Sequence, residues 1–247
     1  MSTKKGFVYT SAGEGFLGRY IKPGYEWYRD NEIRIRASAN RPAYFVIGGK
    51  ATRVTGDLLC NLAASGAGGM VAGISLTANT PYYLYAYDNN GSVALTTDER
   101  DPSEGPRNTD SWTYIGAIAS KENSANLERF VSSGGEYWAA TQIENYSHTG
   151  DTISTPQVFN ALPLTARAAE FRFDIDGNNV PAVAQLSPDG VNVTLTTSQF
   201  PVGNFETRMT GKVPILTAQT VYHRVNDAAD EVTTELMGWV EDPSEWL

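Results

Sequence analysis

Thiols and imidazoles are scarce: Cys60 is the one cysteine in 247 residues, and His148 and His223 are the two histidines. A lone cysteine excludes an intramolecular disulfide and a cysteine-rich zinc cluster. Two histidines so far apart in sequence do not make a metal-ligand motif, and a hydrogen-bonded structural role is expected for His223. No run approaches the roughly 20 apolar residues a spanning helix needs. Met1 to Gly6 lacks the apolar core of a signal peptide, so a soluble chain made in the cytoplasm is expected. Positive charge is not in excess either. With 19 Lys and Arg against 28 Asp and Glu, the net charge is −9, which argues against generic nucleic-acid binding. There is no Gly-x-Ser-x-Gly elbow, and Gly66-Ala67-Gly68-Gly69 lacks the Lys-Ser/Thr of a phosphate loop. Asp174 to Asn178 opens like a calcium loop, but position six is Asn179 and position twelve Gln185, where that loop needs Gly and Glu. No metal and no cofactor is expected.

The charge that is present is unevenly placed. Residues 1–30 carry five bases and three acids, 31–145 nine and twelve, and 146–247 five and thirteen. The balance therefore runs +2, −3, −8. A basic amino-terminal arm followed by an acidic carboxy-terminal part suggests docking between copies or partners.

Hydrophobic period two dominates. Glu32 to Ala37 alternates apolar residues with charges, and Phe171, Phe173 and Ile175 alternate with Glu170, Arg172 and Asp174. Tyr82 to Tyr87 runs into Asp88-Asn89-Asn90-Gly91 and then Ser92 to Thr97, a strong hairpin signal because Asn and Gly tolerate positive φ. Further strands are expected at Trp112–Ile118, Leu127–Val131, Val183–Leu186, Val191–Thr196, Val213–Leu216, Thr220–Val225 and Glu235–Val240. Only Ala161–Ala169 could hold a helical turn. Asn145–Pro156 reads as a polar connector. The expectation is all-β: two β-sandwich, jelly-roll-like domains (31–145 and 146–247) behind an extended, anchoring arm (1–30).

Carboxylates flanked by aromatics, Glu26 beside Trp27 and Tyr28 and Glu136 beside Trp138, are the pairings a sugar-cleaving site would use. Buried core or interface aromatics explain the same residues without catalysis, and no enzyme is expected.

The most specific feature is an ordered set. Leu62-Ala63-Ala64-Ser65-Gly66-Ala67-Gly68-Gly69-Met70 precedes Pro81-Tyr82-Tyr83-Leu84-Tyr85-Ala86, then the Asp88–Gly91 turn, then Trp112-Thr113-Tyr114-Ile115-Gly116-Ala117-Ile118. This order resembles a recurrent β module of tailed-bacteriophage virion proteins. In that family a Ser-Gly-Ala-Gly-Gly loop leads to an aromatic strand, a variable hairpin and a Tyr-x-x-Ile-Gly-Ala strand. The resemblance spans about Asp57 to Val131, near a third of the chain. It departs where Met70-Val71 replaces the usual Leu-Asp and Pro81 the usual Trp. It implies a virion structural role in tail fibre, baseplate or head decoration, with other virion proteins and further copies of the chain as partners. Trimers are the symmetric form common among such proteins. It implies no reaction.

On the residues themselves, Gly66, Gly68 and Gly69 suit a tight loop at a sheet end or a chain contact. Trp27, Tyr28, Tyr83, Tyr85, Trp112, Trp138 and Trp239 are the remaining candidates for assembly or binding. The alternative reading is a receptor-binding tip that stacks host surface glycans on Trp112, Trp138 and Trp239.

Overall fold

The computed structural model describes residues 23–150, 154–176, 182–199, 207–227 and 229–241. Most of the expected arm, residues 1–22, lies outside them. Eleven strands lie before residue 140: β1 (Tyr25–Arg29), β2 (Glu32–Ile35), β3 (Ala43–Ile47), β4 (Lys50–Val54), β5 (Leu58–Ser65), β6 (Gly69–Met70), β7 (Pro81–Asn89), β8 (Ser92–Asp98), β9 (Trp112–Ala119), β10 (Phe130–Ser133) and β11 (Glu136–Ala139). Eight follow: β12 (Glu144–Thr149), β13 (Thr155–Val158), β14 (Ala166–Asp176), β15 (Ala182–Ser187), β16 (Leu195–Gln199), β17 (Thr207–Pro214), β18 (Thr220–Val225) and β19 (Glu231–Glu241). A 3-10 turn at Pro102–Glu104 is the sole helical element among the described residues. The chain is all-β, as its period-two patterning requires.

One large sheet runs β17-β14-β19-β11-β10-β1-β2-β5-β6-β8-β7-β9, with β12 also paired to β19. A four-stranded sheet, β13-β18-β15-β16, and the β3–β4 hairpin complete the fold. The ladder continues across the boundary expected at residue 145, because Tyr137 pairs with Trp239 and Trp138 with Gly238. The end of the expected arm is itself a strand: β1 lies between β10 and β2.

Several local expectations shift. Asn145–Pro156 contains strands, not just a connector, since β12 pairs with β19 from Glu144↔Leu236 to Thr149↔Glu231. Its polar residues are the outward half of a strand whose Tyr146 and His148 turn inward. Ala161–Ala169 forms no helix; β14 starts at Ala166. The strand expected from Val191 starts at Leu195, because the Asp189 carboxylate takes the Val191 and Asn192 N–H groups at 2.9 and 2.7 Å. Those amides are spent in a turn and cannot enter a ladder.

The tyrosine strand β7 is buried on both faces. Tyr82, Tyr83, Leu84, Tyr85 and Ala86 are all 1 % exposed or less. β8 and β9 flank it by hydrogen bonds, and Tyr85 meets Tyr114 and Trp112 at ring separations of 5.6 and 5.5 Å. The terminal strand β9 is closed by side chains. Ala117 N–H donates to Glu241 Oε2 at 3.0 Å, while its carbonyl accepts from Tyr25 Oη at 2.6 Å. Glu241 also accepts from the hydroxyls of Tyr114 and Thr165. A carboxylate from the carboxy-terminal half thus occupies backbone groups of the amino-terminal half. Glu144 does the same elsewhere, accepting from Asn79 Nδ2 at 3.0 Å and from the Asn160 and Ala161 amides at 3.1 and 2.9 Å.

Candidate assembly surface

Cross-strand partners point to the same face of a sheet, so the register sorts the candidate residues. One face carries Cys60, Ile33, Tyr25, Ser132, Tyr137, Trp239, Ala169 and Val213, all buried. This is the core side. Burial pushes the Cys60 thiol up to about 12, which leaves it a small apolar side chain. Trp239 stacks on Tyr137 with centroids 3.9 Å apart and planes 5° apart. It is 1 % exposed, so neither face is free and the expectation that Trp239 offers a stacking surface is wrong. Tyr83 and Tyr85 are likewise core residues and not exposed assembly contacts. The reasons differ: β7 is buried on both faces, whereas Trp239 stands on the core face of β19.

The opposite face, one residue out of phase, carries a continuous cross-strand row. It runs Leu59↔Arg34↔Glu26↔Val131↔Trp138↔Gly238↔Glu170↔Lys212. Val131 is 53 % exposed, Leu59 41 % and Tyr28, beside the row, 37 %. Trp138 is half-buried. Gly238 is fixed as glycine, since a methyl group there would overlap the Tyr137 carbonyl. Arg34 and Arg36 clamp Glu26, with Arg34 Nη2 at 2.6 Å and Arg36 Nε at 2.5 Å from Oε1. Arg34 also lies over the Tyr28 ring at 4.3 Å. Partial burial acts to raise the Glu26 carboxyl, but the hydrogen bonds and charges of Arg36 and Arg34 outweigh it and hold it low. Glu136 is bridged to Lys212 at 3.1 Å. Both carboxylates weighed for sugar chemistry are therefore held in ion pairs.

The remaining candidates divide. Trp27 packs against the core while its Nε1 donates to the Asp30 carbonyl at 2.8 Å. Trp112 is half-buried, with one edge on Tyr85 and its indole against Gly105. The glycine loop is tight, as expected. Gly66 and Gly68 have φ of 92° and 75°. Gly68 N–H donates to the Leu95 carbonyl, and its own carbonyl accepts from Asn61 N–H. Gly69 sits where a methyl group would overlap the Ala64 carbonyl. The loop works as a sheet junction that allows β5, β6 and β8 to meet.

The two histidines meet although 75 positions apart. Their ring centroids are 5.2 Å apart, and Tyr146 Oη lies 3.3 Å from His148 Nδ1. No group of three or more His, Cys, Asp or Glu among the described residues could hold a metal ion. No helix among the described residues is long and apolar enough to cross a membrane. Leu59, Arg34 and Val131 were not picked out from sequence. The signal was present in their alternation with Cys60, Ile33 and Phe130, but only the strand register joins them into one row.

Compared with known proteins, the chain matches no family model and no curated sequence.

Proposed function

We propose that the protein is a structural component of a tailed-bacteriophage virion, in the tail fibre, baseplate or head decoration, acting through protein–protein contacts. It would be assembled in the host cytoplasm and reside in the particle. The observation that carries this reading is the order of glycine loop, tyrosine strand and Ile-Gly-Ala strand, whose residues serve one contiguous junction. The loop ties β5 to β8 through Gly68. Gly116 is the position where a methyl group would overlap the Tyr25 hydroxyl. Buried carboxylates such as Glu144 and Glu241, bound to backbone amides, suit a scaffold that must hold its shape.

The test is assembly with a chain lacking residues 1–20. Particles should form without the truncated protein in them, while its melting temperature stays that of the full chain. Normal incorporation would overturn the assignment of the arm as anchor.

A glycan-binding tip is the competing reading, favoured by the outward Trp138 and Tyr28. It predicts a shift of tryptophan fluorescence when host surface glycan is added. An unchanged spectrum removes it.

A further inference from the structure

We infer that the outer row of the large sheet is a pairing face for a second copy of this chain, related by a two-fold axis parallel to the strands and lying between β10 and β11. The row reads Leu59, Arg34, Glu26, Val131, Trp138, Gly238, Glu170, Lys212 across eight adjacent strands. Such an axis reverses the strand order of the copy while keeping the strand direction. Val131 then lies over the copy's Trp138, Glu26 over its Gly238, Arg34 over its Glu170 and Leu59 over its Lys212, each contact occurring twice. Apolar meets apolar at the centre, Glu26 meets a buried glycine, the Arg34 that clamps Glu26 meets the copy's Glu170, and Leu59 meets the aliphatic stem of Lys212 at the edges. The other in-plane axis, perpendicular to the strands, sets each residue against itself. That places Arg34 on Arg34 and Glu26 on Glu26, which charge repulsion disfavours. The row is therefore self-complementary under one two-fold and not the other, as an isologous interface requires.

Scale supports the geometry. Strands spaced about 4.8 Å apart put Arg34 and Glu170 roughly 24 Å from each other, within reach of one face-to-face sheet contact. The exposed apolar groups, Val131, Leu59 and Tyr28, stand beside charges and not on a wholly apolar surface. These few exposed apolar side chains fall well short of the roughly 20–30 residues a side of a stable complex, so pairing should be weak and fall away on dilution. The inference deepens the assembly reading and rests on it only for the expectation that copies meet. Pairing is read on the isolated full chain, so its failure is separate from a failure to enter particles.

The experiment is mass by sedimentation and light scattering as concentration is raised. The native chain should approach twice 26.9 kDa and fall back on dilution. Val131→Glu should remain monomeric with an unchanged melting curve at low concentration. Glu170→Arg alone sets like charges against Arg34 and should lose the dimer. Arg34→Glu alone should lose it too, and an equal mixture of these two variants should regain it. If Arg34→Glu fails to fold, Val131→Glu and Glu170→Arg still decide. A native chain that stays monomeric up to its solubility limit, or that forms trimers, overturns the proposal. So does a dimer that Val131→Glu leaves intact.

Discussion

Gly116 shows how one missing side chain sets a long-range contact. Tyr25 lays its ring across the β9 backbone and donates to the Ala117 carbonyl, which requires that position 116 carry no methyl group. Gly116→Ala should destabilise the fold by about 1–3 kcal/mol, the usual penalty for overpacking, as read by denaturant unfolding. Two carboxylates should act in opposite directions on pH. Glu26 is held low by its arginines, so its stabilisation is present above its unfolded value and lost as pH falls through the lowered one. Glu144 is raised, chiefly by burial. The folded protein keeps its proton more tightly, so its stabilising contribution is complete below the unfolded value and fades as pH rises through the raised one. Melting temperature against pH should flatten on the acid side in Glu26→Gln. In Glu144→Gln the decline at rising pH should disappear.

At the level of strands, Trp138 and Trp239 sit one register step apart in the β11–β19 ladder and face opposite ways. Trp239→Ala should cost about 3–5 kcal/mol through the cavity left against Tyr137. Trp138→Ala should change stability far less. Parallel denaturant titrations of the two variants at low concentration check this. Strand identity was legible in the sequence because alternation survives wherever one face is wet, as in Glu32–Ile35 and Phe171–Ile175. The hairpin of β7 and β8 was legible from its Asn90-Gly91 turn. The facing of Trp239 was not, because the buried positions of β19 fall consecutively, Thr234-Glu235-Leu236 and Gly238-Trp239, so the strand has no period-two phase to read. The start of β16 was hidden for a different reason: a side-chain carboxylate, Asp189, competes with the ladder for backbone amides.

Across the whole molecule, the sheet binds the two halves through β11, β12 and β19, and the Glu144 and Glu241 carboxylates add side-chain ties. The full chain should therefore melt in a single transition that calorimetry and near-ultraviolet dichroism report together. A chain ended after residue 145 loses the β19 partner of Tyr137 and should fail to fold, which dichroism would show at once. The charge contrast between the halves was visible in composition, but their shared ladder was not, since it rests on pairs about a hundred residues apart.

That ladder also bears on the order in which the protein can be completed during synthesis. Strand β19 pairs with β11, β12 and β14, all of which leave the ribosome before it. Until residues 231–241 emerge, those strands present unpaired backbone and the Tyr137 ring, stacked on Phe130, lacks Trp239. Closure is delayed to the latest part of the chain described, and the waiting edges are open to neighbouring nascent copies. A slow final step, sensitive to crowding on the polysome and to chaperone supply, follows from where this one strand falls in the sequence.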